Sequence, residues 1–567
     1  MAAKLTAFFA ELRRRKVWRV AGVYATTALA IALAVAELYE HVGLPDGTPR
    51  VVIVLLIVGF PVALVLAWAY EVKPEGLPDR AAVTDPAAAT PAATTPAAAT
   101  EDRNSIAVLP FANLSPDPEA EYFADGMTEE IINAVSNVAD LRVIARTSAF
   151  AFKGSNQDVR EIGKQLGVGT VREGSVRRSG DRLRITAHLV DVSGGHHLWS
   201  ERYDRDLADV FAIQDEIAQI IARRLRPEAQ VLNRVERPTD DLVAYEAYLR
   251  GMFFYWQYSS EGATRALTCF EDALERDPDY ALAHAGAAFA HTWLAGFGLE
   301  ATNSTRARAR AAARKALELE PNLPEGLISL AEVLFWLDWD FEGAKRNILR
   351  ALQLSPSSMT AHALYSFYLR VKGRFDDAVA ELETAIELDP LSVPIHNELG
   401  NAYLAAGRQD EAEAQIARTL DLDSEFAATL ETRGWLSVRA GRFEEALGIF
   451  ESLPRARPST MAALGFTLAA LGRGDEAREL LAALEDASRS RRITTDVDIA
   501  RVYAGLGEFD EATRHLEYAI ESKAIPAILL GSSIRDWGQF RHDPRFQQLI
   551  DRVEHSGDQG GSPGSAE

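Results

Sequence analysis

Cysteine is almost missing from this 567-residue chain, which contains only Cys269. A single cysteine excludes an intrachain disulfide and any metal site made of clustered cysteines. The chain also lacks the H-E-x-x-H motif of zinc enzymes and the His-Arg-Asp loop of kinases. The adjacent His196 and His197 have no third ligand at a useful spacing. We therefore expect no metal, no cofactor and no enzymatic activity.

A surplus of basic charge is missing as well. Residues 81–567 carry 51 Lys and Arg against 75 Asp and Glu. Affinity for nucleic acids comes largely from basic side chains that displace counterions from phosphates, so we expect no DNA or RNA partner. The chain is 47% hydrophobic and 25% charged. The chain is also longer than one hydrophobic core usually organises, so its length predicts two or three folded domains.

Long hydrophobic runs are present near the N-terminus. Residues 20–36 and 51–70 contain no charged side chain and are long enough to cross a bilayer, so they predict a two-helix transmembrane hairpin. Six basic residues lie in 1–19, whereas the connecting loop has only Arg50 among three acidic residues. The positive-inside rule therefore places the N-terminus, and the domains after the hairpin, in the cytoplasm.

Two alternatives to this membrane topology stay open. The first run also fits a cleaved signal peptide, and if one run does not cross, the later domains lie on the periplasmic side. Residues 81–100 consist almost entirely of Ala, Thr and Pro. Their spaced prolines predict an extended linker between the membrane and the folded domains.

Residues 104–230 predict an α+β domain, because short β-branched runs alternate with amphipathic segments. The central hairpin carries five arginines, which predict a solvated or salt-bridged sheet face, with an anionic-ligand or lipid-headgroup site as the alternative: Arg172, Arg177, Arg178, Arg182 and Arg184. The predicted strands are 105–111, 141–145, 197–203 and two within 171–192, and the predicted helices are 121–138, 159–166 and 210–225.

This region resembles the TolB amino-terminal-like domain, also seen in FlgO-type proteins. The similarity lies in the runs SIAVLPFANLSPDPEAEYFADGMTEEIINAVSNVADLRVIARTSAFAFKG, REIGKQLGV, EGSVRRSGDRLRITAHLVD and HHLWSERYDRDLADVFAIQDEIA. The resemblance implies a non-enzymatic binding or sensing module in a bacterial membrane protein, commonly followed by tetratricopeptide repeats. Some members carry a cyclase, kinase or winged-helix domain before the membrane span. Since only about 19 residues precede the predicted hairpin here, we expect no such output domain.

A 34-residue period follows in 242–523. The positions that keep it are small or helix-ending residues: Ala344, Ala378, Ala412 and Ala446, then Gly373, Gly407 and Gly441, then Pro356, Pro390 and Pro458. This is the pattern of tetratricopeptide repeats, and HNELGNAYLAAGRQDEAEAQI (396–416) matches it most fully. We predict about eight helix pairs in an α-solenoid, an insertion within 294–304, a cap over the last repeat at 525–553, and a disordered tail at 557–567.

The concave groove of such an array is the predicted binding surface. Counting along the motif places seven residues on it: Phe367, Asn397, Asn401, Glu431, Trp435, Phe466 and Arg501. We expect these side chains to be exposed, so that replacing Asn397 and Asn401 by Ala weakens partner binding and leaves the fold intact.

The sequence therefore predicts a mainly α protein at the bacterial inner membrane that acts as a scaffold for an unidentified protein or peptide. The alternative is a sensor whose TolB-like domain binds a small molecule or an envelope partner. Homo-oligomerisation is compatible with either function.

Overall fold

The computed structural model describes residues 104–115, 120–227, 238–257, 259–296, 303–455, 457–491 and 495–556. The predicted hairpin runs 20–36 and 51–70, the basic segment 1–19, the linker 81–100 and the tail 557–567 lie outside these ranges. No helix in the described part is long and apolar enough to span a bilayer.

A small mixed sheet opens the described chain. Its strands are β1 Ser105–Val108, β2 Ala112–Asn113, β3 Arg142–Val143, β4 Thr170–Ser179, β5 Arg182–Asp191 and β6 His197–Asp206. The order is β3-β1-β4-β5-β6, with β2 also paired to β4. Pairing of β1 with β3 and β4 is parallel, whereas β4, β5 and β6 form an antiparallel meander. Gly180, at φ +60°, supplies the positive φ that the two-residue turn between β4 and β5 requires.

Four helices cover this sheet: α1 Glu121–Ser136, α2 Arg146–Phe150, α3 Val159–Leu166 and α4 Val210–Leu225. One face of the sheet, with Leu183 and Ile185, packs against α1 and α4. The other face, with Val171, packs against α2 and α3. The prediction of a small domain that combines strands and helices is thus confirmed.

Sixteen helices follow among the described residues and form eight antiparallel pairs, here called repeats 1 to 8. In chain order they are α5 Leu242–Tyr255 and α6 Ser260–Arg276; α7 Ala281–Gly296 and α8 Asn303–Leu319; α9 Pro324–Glu332 and α10 Phe341–Leu354; α11 Met359–Val371 and α12 Phe375–Leu388; α13 Val393–Ala406 and α14 Gln409–Leu422; α15 Ala427–Arg439 and α16 Phe443–Glu451; α17 Pro458–Ala470 and α18 Gly474–Arg491; α19 Asp496–Leu506 and α20 Phe509–Glu521.

The periodic alanines explain how each pair packs. Ala344, Ala378, Ala412 and Ala446 are fully buried near the start of the second helix of their repeats. A methyl side chain lets the two helices of a pair approach closely. The prediction of a mainly helical chain with a tetratricopeptide-type solenoid is therefore confirmed.

The chain after α20 is called here the C-terminal segment, residues 525–554. It contains two 3₁₀ stretches, Ile525–Leu529 and Ile534–His542, and the helix α21 Pro544–Glu554. Trp537, Phe540 and Phe546 are fully buried in it. Their rings lie against one another, with centroids 5.0 to 6.1 Å apart.

The sheet domain packs directly on the repeats. On the side of repeat 1, Trp256 Nε1 donates to Glu129 Oε1 at 2.6 Å, and Gln214 Nε2 donates to the Tyr245 hydroxyl at 2.7 Å. On the side of repeats 4 and 5, the backbone N–H of Ser148 donates to Asp389 Oδ1 at 2.8 Å. The core beneath α1 and α4 continues into repeats 1 and 2, so the sheet domain and the repeats form one unit.

Candidate functional site on the concave surface of the repeats

Three of the predicted groove residues meet at repeats 6 to 8. The Trp435 and Phe466 rings lie 5.5 Å apart, and both side chains are buried. The guanidinium of Arg501 lies 4.7 Å from the Trp435 ring centroid and 5.0 Å from that of Trp537. An arginine between two indole rings is a favourable cation–π arrangement. Because Trp537 belongs to the C-terminal segment, this part of the groove is occupied by the protein's own chain.

A buried ion pair fixes the C-terminal segment in the groove. Arg439 of α15 donates from Nε to Asp536 Oδ1 at 2.5 Å, and both side chains are nearly buried. Gly538, at φ +54°, faces the Phe466 ring, and a Cβ atom there would lie 3.0 Å from that ring. The prediction of a cap over the last repeat describes only part of this packing, since the segment also contacts repeats 4, 6 and 7.

The two predicted asparagines face the neighbouring repeat. Asn397 is 5% exposed, and its Oδ1 atom accepts from the hydroxyls of Thr429 and Thr432 at 3.1 and 3.3 Å. Asn401 is half-buried and accepts from Thr432 at 3.1 Å. The expectation that both are exposed is wrong for Asn397, because α15 packs over that face of α13. Glu431 is half-buried and accepts from the Ser459 hydroxyl at 3.1 Å.

Phe367, the remaining predicted residue, lines an open pocket of about 380 Å³ between α7, α9 and α11. Its ring lies 5.0 Å from that of Trp336 in an edge-to-face arrangement. Trp293 and Glu332 also line this pocket, and Ile525 of the C-terminal segment closes one side. Sequence reasoning missed Trp293, Glu332 and Trp336, which the motif count did not place in the groove.

An irregular helix creates this pocket. After Glu332 the chain forms a π-helical turn, Val333–Asp338, and Trp339 then adopts φ +59°. Trp339 stands 34 residues before Gly373, at the position where later repeats have a glycine with positive φ. The sequence contains a signal for this irregularity. Pro321 and Ala344 are 23 residues apart, whereas the corresponding Pro and Ala of the next repeats are 22 apart.

The electrostatics of this pocket depend on one carboxyl group. Glu332 is 9% exposed and, within the described part of the chain, makes no hydrogen bond or ion pair. Burial raises the pKa of Glu332 to about 8, because a carboxylate loses hydration there without gaining a partner.

A second, smaller cavity of about 140 Å³ lies between the sheet domain and the first helices of repeats 1 to 4. Glu129, Arg146 and Glu325 line it. Arg146 lies 3.3 Å from Glu129, and burial raises the pKa of both glutamates. The described residues contain no cluster of His, Cys, Asp and Glu able to hold a metal ion.

The arginines of the β4–β5 hairpin have different environments. Arg182 and Arg184 pair with Asp204 at 3.1 and 2.7 Å, as a salt-bridged sheet face requires. Arg172 instead is fully buried and lies 3.3 Å from the Phe111 ring centroid. Burial lowers the pKa of Arg172 to about 9.

Comparison with family models identifies tetratricopeptide repeats in this chain. One such model matches residues 368–425, and a second matches 458–483 and 498–517. These ranges fall on repeats 4, 5, 7 and 8. Tetratricopeptide repeats form scaffolds for protein interactions, so a scaffold role is the coarse function that the repeats support.

A curated relative is the protein named putative adenylate cyclase 3 of Rhizobium meliloti, which is 40% identical over 242 residues. The match covers 41% of this chain and 40% of the relative. The prediction that the chain is not an enzyme is contradicted by this match, because the relative carries the name of an enzyme.

Solved structures that match this chain in part include a monomeric mutant of IFIT1 with Gppp-AAAA, which is 19% identical and has a TM-score of 0.40. That similarity covers 61% of this chain and 77% of the IFIT1 chain. A thermophilic tetratricopeptide-repeat protein of Thermus thermophilus is 22% identical, with a TM-score of 0.29 and coverage of 34% and 97%. The family models show that tetratricopeptide repeats are present in this chain, and these repeats form the surface on which the candidate site lies.

Proposed function

We propose that this protein is a membrane-anchored scaffold that holds a protein or peptide partner on the concave surface of its repeats. One observation carries the proposal: this surface already holds about 30 residues of polypeptide, the C-terminal segment, through buried aromatic rings and the Arg439–Asp536 ion pair. A surface that binds one segment in this way has the chemistry to bind another. The pocket lined by Trp336 and Phe367 is open on this surface.

The membrane anchor is the predicted hairpin at 20–36 and 51–70, and residues 104–230 are a TolB-like module beside the repeats. Six basic residues before the first run support a cytoplasmic location for both. A C-terminal fluorescent-protein fusion should therefore fluoresce, and a C-terminal alkaline-phosphatase fusion should be inactive. An active phosphatase fusion with a dark fluorescent fusion would instead place the domains on the periplasmic side.

Partner binding can be tested by affinity purification of the full chain from membranes after cross-linking. The informative variant is Trp336→Ala, because Trp336 is half-buried in the open pocket. The matched control is Tyr518→Ala, which removes an exposed aromatic side chain from α20. We expect the parent and the control to recover the same partner, and Trp336→Ala to recover at least tenfold less at a temperature where circular dichroism shows all three proteins folded. Equal recovery by all three proteins would contradict binding at this surface.

A second candidate is a sensor role, which the cavity between the sheet domain and the repeats favours. A ligand there would contact Glu129 of the sheet domain and Glu325 of repeat 3 at once, so binding would alter how the two parts pack. Screening the full chain for compounds that raise its melting temperature tests this role. The substitution Ile328→Trp, which fills the cavity, should abolish the effect of any compound that binds there.

A further inference from the structure

The open pocket between α7, α9 and α11 has a composition unlike that of a general peptide groove. Its volume of about 380 Å³ lies within the range of small-molecule sites, about 300 to 1,000 Å³. Trp293, Trp336 and Phe367 supply aromatic rings, Leu364 adds an aliphatic side, and Glu332 is the only charged side chain among the described residues that line it.

Glu332 has no protein partner in this setting. It is 9% exposed and lines the pocket, and burial alone raises its pKa, with no hydrogen bond or opposite charge from a described residue. A buried carboxylate without a partner is costly. A cation entering the pocket would remove that cost, because an opposite charge favours the ionised form.

The aromatic rings favour the same kind of ligand. Cations bind to the faces of Trp, Tyr and Phe rings, most strongly where water is excluded. An anion would be repelled by the negative ring faces, and by Glu332 whenever its carboxyl group is ionised. A purely apolar ligand would leave Glu332 without a partner.

The local backbone indicates that this arrangement is specific to repeat 3. One extra residue is accommodated by the π-helical turn Val333–Asp338, which carries Trp336. Immediately after it, Trp339 occupies a left-handed conformation that glycine occupies in repeats 4 to 6. π-Helical turns and strained non-glycine residues concentrate at functional sites.

We infer that this pocket binds an organic cation, an ammonium group on a short apolar or aromatic body, with Glu332 as its counter-ion and Trp293, Trp336 and Phe367 around the body. The inference goes beyond the proposed scaffold, since it concerns a ligand about the size of one side chain. The ammonium group belongs either to a free amine or to a lysine side chain of a protein.

Proton release gives the binding a distinctive signature. Burial raises the pKa of Glu332 to about 8 in the empty pocket, so most of this carboxyl group is protonated at pH 7. None of the other described residues that α7, α9, α11 and the C-terminal segment contribute to the pocket carries a titratable side chain. Binding of a cation should therefore release close to one proton at pH 7.

The test is calorimetric titration of the purified full chain at pH 7 with phenethylamine and with its neutral analogue 2-phenylethanol. We expect the amine to bind at least tenfold more tightly than the alcohol. Buffers that differ in ionisation enthalpy should report the released proton. The substitution Glu332→Gln should remove both the preference and the proton release.

Two further variants make the test specific. Glu325→Gln is the matched control, because Glu325 is a half-buried glutamate of the same helix with a raised pKa, but lines the other cavity. It should bind phenethylamine as the parent does. Trp336→Leu keeps Glu332 and should weaken the binding of phenethylamine at least fivefold. The inference therefore stays testable if Glu332→Gln does not fold.

The source of the ammonium group is distinguished by comparing phenethylamine with N-acetyl-lysine methylamide. Tighter binding of the lysine derivative supports a protein side chain as the ligand, and tighter binding of phenethylamine supports a free amine. The inference is overturned if neither amine binds, or if 2-phenylethanol binds as tightly as phenethylamine. Neither result depends on the partner that the scaffold proposal requires.

Discussion

At the scale of single residues, Asn397 shows how a side chain on the inner side of a repeat becomes structural. The Thr429 hydroxyl is fully buried, and the Oδ1 atom of Asn397 is its hydrogen-bond acceptor. Replacement of Asn397 by Ala should destabilise the protein by about 1 to 3 kcal/mol, because a buried donor loses its partner. Thermal melting of the purified chain measures this loss.

Asn401→Ala is the matched control, since it removes the same side chain one helical turn later. Thr432, its partner, also lies within hydrogen-bond distance of Asn397 and of the Ala428 carbonyl oxygen. Loss of the Asn401 side chain should therefore lower the free energy of unfolding by less than about 1 kcal/mol. If the two variants melted at the same temperature as the parent, Asn397 would be exposed, as the sequence first predicted.

Trp339 presents two opposing effects at one position. Replacement by Gly relieves a left-handed conformation that costs a non-glycine residue about 1 to 2 kcal/mol. It also removes a buried indole that packs against Phe341, and loss of such a side chain costs about 3 to 5 kcal/mol. The cavity outweighs the strain, so Trp339→Gly should lower stability by about 1 to 4 kcal/mol in thermal or urea unfolding.

Gly373→Ala isolates the backbone effect in the same fold. Gly373 has φ +68°, and a Cβ atom there would meet nothing within 4 Å. The Gly373→Ala variant should therefore lose only about 1 to 2 kcal/mol of stability, the cost of the left-handed backbone alone. A Trp339→Gly protein more stable than the parent would show that conformational strain outweighs packing in repeat 3.

At the scale of helices and strands, local signals were sufficient for several elements. The helix α3 was predicted at its observed bounds, because Asp158 caps its first turn and Gly167 ends it in the left-handed region. The 34-residue period identified the helix pairs, since each position that kept it has a packing role. The π-helical turn was also detectable, from the extra residue between Pro321 and Ala344.

The occupation of the groove could not be predicted in this way. Asp536 meets Arg439, 97 residues earlier in the chain, because the C-terminal segment turns back across repeats 6 to 8 after α20 ends. The 34-residue pattern that identified the helix pairs does not extend to this segment, so it carries no signal for such a contact. For the same reason the motif count placed Trp435 and Phe466 in an open groove, whereas the structure buries both.

The junction between α2 and the loop after α12 predicts a pH effect. Burial raises the pKa of Asp389 to about 6, above its value of about 3.9 in an unfolded chain. The folded state therefore binds the proton more tightly. The stability that protonated Asp389 contributes is present below about pH 4 and is lost as the pH rises to about 6.

Asp389→Asn should remove this dependence, because its amide oxygen can still accept from Ser148 but does not ionise. Relative to the parent, the variant should gain about 2 kcal/mol of stability between pH 4 and pH 7. Urea unfolding of both proteins across this range measures the difference. A difference that stays constant with pH would mean that Asp389 keeps an ordinary pKa in the folded protein.

At the scale of the whole molecule, the chain that follows repeat 8 returns to repeats 2 and 3. Arg306 of repeat 2 donates to the carbonyl oxygens of Ser522 and Lys523, which follow repeat 8, at 3.3 Å. In return, Lys523 Nζ donates to the Asp338 carbonyl oxygen at 2.5 Å. One hydrophobic core joins repeats 3, 4 and 8 to the C-terminal segment. An open solenoid has contacts only between neighbouring repeats, so this array should unfold with greater cooperativity than an open one.

A chain ended at residue 524 should lose this closure. It would lack Trp537, Phe540 and Phe546, each fully buried, and burial of one such side chain contributes about 1.5 to 3 kcal/mol. The expected loss of stability is on the order of 5 kcal/mol, with unfolding spread over a wider temperature range, as circular dichroism would record. A chain ended at residue 556 is the control, because it keeps every contact of the C-terminal segment described above. A difference of about 2 °C or less between the melting temperatures of the two truncated chains would correspond to less than about 1 kcal/mol of stability. In that case the C-terminal segment would be a dispensable occupant of the groove, and the array would be stable without it.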